Sequence, residues 1–261
     1  ILEATAVIVL ELDVSTLAAS AGTNEDDVLD VLDAGTAARV LVNMSPERYL
    51  FAHALVEHSL YDAITPTRRA RLHRRIAEAI EDRDETEREL RVAELALHWS
   101  KATTPQDAHK AIHYAMAAGD RALAQLAADE GVRWYSQALD LIDHCGPVDR
   151  RQRAAILAGL GVAQRNTGAP AYRDTLLDAA RLADEIGDTD LLVTAVLTNT
   201  RGFQNTVGAV DQERVEMLNA ALEAIPIDDS AERAMLLAVL GSELLYVEPY
   251  EQRRQRFDQA L

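Results

Sequence analysis

Apolar positions along this chain change their spacing twice, and each change marks a different kind of element. Residues 4–10 form a short apolar run, too brief to cross a membrane. Residues 14–20 have helical spacing. Asn24, followed by Glu25, Asp26 and Asp27, offers a capping side chain and negative charge suited to a helix N-terminus, predicting a helix to about residue 33 that Gly35 ends. Val40, Leu41 and Val42 then mark a strand over 38–43. Ser45-Pro46-Glu47 reads as a turn, and 48–51 as a returning strand.

From Ala52 the spacing becomes helical. Val56, Leu60 and Ile64 share one face, Pro66 ends that helix, and Leu72, Ile76, Ala79 and Ile80 set the face of the next. Residues 82–89 are nearly all charged, as a solvated linker or helix start would be, and the domain boundary is placed there. Paired helices follow, over about 88–101 and 105–118, 119–128 and 130–144, 150–167 and 170–186, 189–202 and 211–225, and 230–246 with 250 onward. Thr104-Pro105, Gly146-Pro147, Gly168, Gly187, Gly208, Pro226 and Pro249 punctuate them. Ala138-Leu139, Ala179-Ala180, Ala221-Leu222 and Ala260-Leu261 recur at intervals of about 40 residues, an internal repeat with small residues where helices cross. A helix pair cannot bury its apolar face alone, so neighbouring pairs are expected to stack. The expected fold is all-α: a winged-helix-like module with its following helices over 1–82, then an α-hairpin superhelix over 83–261, truncated at its C-terminus.

Composition narrows the function. The formal charge of −17 disfavours nucleic-acid binding by the whole chain, since affinity for phosphates depends on cations displacing counterions. The 24 Arg against Lys101 and Lys110 reflect base composition more readily than a binding role. The single cysteine, Cys145, cannot form an internal disulfide, which fits a reducing cytoplasm. The chain begins inside an apolar segment without Met and ends within a helical pattern, as a piece of a longer protein would.

Trp99, Tyr114, the stretch Trp134-Tyr135-Ser136-Gln137-Ala138-Leu139-Asp140-Leu141, and Leu160-Gly161 look like tetratricopeptide repeats, with a period nearer 40 than 34 residues. Preceded by the helix around Asp26 to Asp33, Phe51-Ala52-His53-Ala54-Leu55-Val56, Arg68-Arg69-Ala70-Arg71-Leu72-His73 and Glu94-Leu95-Ala96-Leu97-His98-Trp99, the order resembles that of the STAND class of bacterial signalling ATPases, including LuxR-type regulators. The resemblance implies a regulatory segment of a cytoplasmic, ATP-binding transcription regulator. In such proteins the repeats take a protein or small-molecule effector, ATP or ADP with Mg binds a separate domain, and DNA is read by a domain outside this chain. No membrane role is implied. An interaction scaffold and the same segment of a cyclase-fused ATPase are the alternatives. The chain itself contains no Gly-x-x-x-x-Gly-Lys-[Ser/Thr] phosphate loop, so no cofactor is expected on it.

By the same resemblance His53, at the start of the helix after the wing, is a candidate sensor of nucleotide state; otherwise it simply packs and hydrogen-bonds there. Arg68, Arg69, Arg71, Arg74 and Arg75 oppose the helix dipole, which suggests that carboxylates of a partner surface meet them, and Arg68, Arg69 and Arg71 are the candidate interdomain contacts. His109 and His113 have the i, i+4 spacing of a zinc pair. Lys110 stands where a metalloprotease would place Glu, and no third ligand is identifiable, so two partly buried polar residues are the expectation. The carboxylates of 82–89 are too solvated for general acid–base work, and neither a Gly-x-Ser-x-Gly elbow nor a partner for Cys145 is present. No catalytic residue and no metal site are assigned, and an enzyme is not expected from this chain.

Overall fold

The computed structural model describes residues 1–7, 12–45, 48–102, 107–145, 149–200, 210–227, 230–245, 249, 251–252 and 254. They are predominantly helical, with three short strands, and fall into two compact units, Ile1–Ala118 and Gly119–Leu261. Among the described residues no helix is long and apolar enough to cross a membrane.

The first unit runs α1 (Leu2–Thr5), β1 (Leu12–Asp13), α2 (Val14–Ala21), α3 (Glu25–Ala37), β2 (Leu41–Ser45), β3 (Arg48–Phe51), α4 (Ala54–Ala63), α5 (Pro66–Glu81), α6 (Glu85–Leu90) and α7 (Val92–Ala102), then enters α8 (Ala108–Ala124). The strands form an antiparallel sheet in the order β1-β3-β2, with Leu12 opposite Tyr49 and Leu41 opposite Phe51. Asp13 closes β1 and also caps α2, accepting the Ser15 N–H at 3.0 Å. Asn24 caps α3 by accepting the Asp27 N–H at 2.8 Å, leaving Glu25, Asp26 and Asp27 in the first turn, where the helix dipole favours them.

Gly35 does not end α3, contrary to expectation; the helix continues to Ala37. A Cβ at Gly35 would lie 2.8 Å from Leu41 Cδ1, so glycine here lets β2 come close to the helix. Pro66 occupies the first turn of α5, where its missing N–H breaks no helical bond, and α4 stops at Ala63. The buried face of α5 carries His73, Ile76, Ala77, Ala79 and Ile80, and it packs against α2 and α7.

The charged run at 82–89 is a helix start. Asp84 caps α6 by accepting the Glu87 N–H, Arg83 donates to Ser15 Oγ, and Arg91 donates to Thr16 Oγ1 at 3.0 Å and Asp13 Oδ2 at 3.3 Å. These bonds tie α6 and α7 to α2, and residue 82, anticipated as a boundary, lies inside the first unit.

The second unit holds the end of α8, then α9 (Ala128–Cys145), α10 (Arg150–Thr167), α11 (Tyr172–Ile186), α12 (Thr189–Thr198), α13 (Gln212–Ala224) and α14 (Ala231–Glu243). From α9 onward each helix packs on the next, and α10 also meets α12, α11 meets α13 and α12 meets α14. The core is built of Leu176, Leu192, Leu236 and Leu240 among small residues such as Ala179, Ala183, Ala195 and Ala221. Gly168 and Gly187, both at left-handed φ, close α10 and α11.

The separate helices expected over 105–118 and 119–128 are one helix, α8, because Gly119 serves packing rather than termination. A Cβ there would be 2.7 Å from the Tyr135 ring, and one at Gly159 would be 2.3 Å from its other edge. Tyr135 thus lies between two glycines and donates its hydroxyl proton to Asp120 Oδ1. Gly161 similarly admits Leu176 of α11. The breakers Thr104-Pro105, Gly146-Pro147 and Gly208, the Pro46-Glu47 half of the hairpin turn, residues 8–10 of the apolar run and Ala260-Leu261 lie outside the described residues.

Candidate functional site

The sequence-selected residues lie at the start of α4 and along the first turns of α5. His53 is the N-cap residue of α4; it is exposed, and its side chain makes no capping bond. Arg68 pairs with Glu3 at 3.0 Å, with both side chains largely exposed. Arg69 stands 3.9 Å from Asp62 and lies over the Tyr61 ring at 4.8 Å. Arg71 is exposed and has no ion pair among the described residues, whereas Arg74 pairs with Asp107. The structure therefore brings Arg69 to Tyr61 and leaves Arg68 and Arg71 facing outward.

Beneath Arg69 lies a polar chain that the apolar spacing did not reveal. Tyr61 Oη is 3.3 Å from His73 Nε2, and His73 Nδ1 is 2.8 Å from His98 Nδ1 of α7. His73 and His98 are 2% and 0% exposed. A bond between two Nδ1 atoms requires one donor and one acceptor, so both rings cannot be protonated. One arrangement uses every proton once: Tyr61 donates to His73 Nε2, His73 Nδ1–H donates to His98 Nδ1, and His98 Nε2–H points toward Glu94 Oε1 at 3.9 Å.

Glu94 itself is held by Arg91 through two bonds of 2.7 and 2.8 Å, and His98 Nε2 has no hydrogen-bond partner. Burial, then Lys101 and Arg69, push His73 down to about 4. Burial, then His73 and Arg91, push His98 down to about 3. Both are neutral at pH 7. Enclosure keeps solutes from them, so their chemistry is confined to holding a proton and linking α4, α5 and α7.

A signal for this pair did exist in the sequence. His73 lies one turn before Ile76 and Ala77, with Ile80 after them, and His98 lies between Leu95 and Ala102 beside Trp99, all on buried faces. Near by, Glu81 accepts from Trp99 Nε1 at 3.1 Å and from Lys110 Nζ at 2.7 Å, while Lys110 stands 4.3 Å over the Trp99 ring.

His109 and His113 are both exposed, correcting the expectation of partial burial; His113 packs edge-on against Tyr114. Among the described residues no group of three or more His, Cys, Asp or Glu could hold a metal ion. Cys145 is a free thiol.

The second unit has its own charged network, joining residues about one repeat apart. Arg173 makes two bonds of 2.6 Å to Asp211 and one of 2.7 Å to Glu213. Arg214, 4% exposed, lies 3.5 Å from Asp211 and 3.7 Å from Glu243. Hydrogen bonds from Arg173 hold Asp211 down to about 2 against the opposing effect of burial, helped by the Arg214 backbone N–H. Asp211 also caps α13, so one carboxylate serves cap and latch together. Arg214 and Asn199 border a void of about 10 Å³ with Leu176 and Leu218, room for about one water molecule. Compared with known proteins, the chain matches no family model and no curated protein.

Proposed function

We propose that this chain is the regulatory segment of a larger, cytoplasmic ATP-binding transcription regulator of the STAND class. In this reading the helical repeats bind a protein or small-molecule effector, and the N-terminal module passes the binding event to a nucleotide switch elsewhere in the parent protein. The observation that carries it is the layered packing of the second unit, in which each helix from α9 onward meets the next, and α10, α11 and α12 also meet the next but one. Tetratricopeptide-like arrays pack in this way, and each added pair extends a surface on which a ligand can be held by several hairpins. A ligand with different affinities for two arrangements of such an array shifts their populations.

Two features of the first unit support the same reading. The order α1, β1, α2, α3, β2, β3 with sheet order β1-β3-β2 supports reading the module as a winged helix. The helix that would read DNA in such a module, α3, carries Glu25, Asp26, Asp27, Asp30 and Asp33 and no basic residue, so it repels a phosphate backbone. Read as a winged helix, the module is unfit for DNA and available as a connector. The Arg69–Tyr61–His73–His98 chain then supplies a path from a half-buried cation through α4 and α5 to α7.

His53 is the residue proposed to feel the nucleotide, and its exposed, uncapped ring is free to meet another domain. The test is ADP affinity of the full-length parent with Mg, wild type against His53→Ala. A loss of about tenfold or more, corresponding to about 1.4 kcal/mol, is expected. Unchanged affinity would remove the coupling and leave a tetratricopeptide-like interaction scaffold.

A further inference from the structure

Two helices of the first unit carry matching charges at matching intervals. On α5, Arg68, Arg71 and Arg75 are exposed and separated by three and then four residues. On α3, Asp33, Asp30 and Asp26, read backwards, are exposed and separated by three and then four. At 100° per residue each trio spans an arc of about 60°, on the side of its helix away from the buried Val28 and Leu32 in α3, and away from Ile76 and Ile80 in α5. Laid antiparallel, the two helices bring Arg68 to Asp33, Arg71 to Asp30 and Arg75 to Asp26.

We propose that α3 of one copy of this chain docks antiparallel along α5 of a second copy, through these three pairs. Of the six side chains, Arg68 alone has an ion pair among the described residues, the exposed bridge to Glu3. Such a bridge holds little free energy and exchanges readily for another carboxylate. The arginine trio borders an open cleft of about 290 Å³, flanked by Glu3, Ala4 and Leu72. Guanidinium forks can take each incoming carboxylate through two hydrogen bonds.

Charge complementarity also argues for a copy of this chain over phosphate. The −17 charge holds polyanions away, while α3 provides carboxylates in the register that the arginines require. Repulsion between two copies of that charge is long-ranged, and at about 0.15 M salt it is screened beyond about 8 Å, leaving the contact pairs. The proposal does not depend on the regulatory reading above.

The experiment is sedimentation velocity of the 261-residue chain at 0.15 M salt over a concentration series, with two charge-swap variants. Arg68→Glu/Arg71→Glu and Asp30→Arg/Asp33→Arg alter exposed positions and place charges that agree with their helix dipoles, and circular dichroism checks that both remain folded. Wild type is expected to self-associate. Each variant alone should associate about tenfold more weakly or not at all, and an equimolar mixture of the two should associate again, because the swapped trios complement one another. A wild type that stays monomeric throughout the series overturns the proposal. So does a swap that leaves association unchanged, or a mixture that fails to restore it.

Discussion

Lowering the pH should destabilise the first unit at His73 and His98 well before its carboxylates titrate. Both imidazoles are buried neutral, with folded-state values near 4 and 3 against about 6.5 in an unfolded chain. For a group whose folded value is depressed, stability is fully present above the unfolded value and is lost as pH falls toward the folded one. At pH 5 an unfolded imidazole has taken up its proton almost completely while neither buried ring has. Each then favours unfolding by about 2 kcal/mol, and the pair by about 4 kcal/mol, relative to pH 7.5.

That is a large share of the roughly 5–15 kcal/mol that holds a domain folded. Lys101, Arg69 and Arg91 oppose protonation of the rings, and Glu94, engaged by Arg91, is the nearest carboxylate that could favour it. Urea unfolding at pH 7.5 and 5.0, followed through Trp99 fluorescence in a Trp134→Phe background, measures the loss with His73 and His98 present and in His73→Leu/His98→Leu. The double variant removes both hydrogen-bonding partners together, and its loss should be smaller by about 4 kcal/mol. Equal losses would refute the reasoning. So would wild-type ring resonances of His73 and His98 that titrate near pH 6.5 by NMR, a readout independent of whether the variant folds.

Three further outcomes follow from the second unit, each measured by thermal or urea unfolding. Gly159→Ala should destabilise by about 2 kcal/mol although alanine is the better helix former, because its Cβ meets the Tyr135 ring; a gain in stability would contradict that packing. Asp211→Asn keeps a competent N-cap but removes the charge facing buried Arg214, and should cost about 3 kcal/mol; a change below about 0.5 kcal/mol would mean that the latch contributes nothing. Leu126 lies at φ 60 and is 90% exposed, so Leu126→Gly should relieve about 1 kcal/mol of backbone strain and raise Tm by about 2–4 °C; a lowered Tm would contradict it.

Local signals in the sequence were strong where a single side chain decides the outcome. Asn24 ahead of three acidic residues starts α3, Pro66 separates α4 from α5, and Gly168 closes α10. They were weak where distant residues decide. Gly35 reads as a breaker, and a join between helices is expected at 118/119, until Leu41 and Tyr135 are seen against Gly35 and Gly119, since a glycine serving close approach looks the same in sequence as one ending a helix. The two-residue strand β1 has no period of its own and exists through its pairing with β3. His73 and His98 are 25 residues apart, and only the packing of α5 on α7 brings them together. The exposed positions of His53, Arg68 and Arg71 follow from their helices, but no sequence pattern names what meets them.

The grip of Arg83 and Arg91 on α2 bears on how such proteins could be recombined in evolution. A crossover at residue 82 would strip α5 of its packing partner α7 and leave His73 without His98. Exchange of the N-terminal part between lineages would therefore be tolerated only when α6 and α7 travel with it. Inherited segments should respect that seam even though charge alone would place the join earlier.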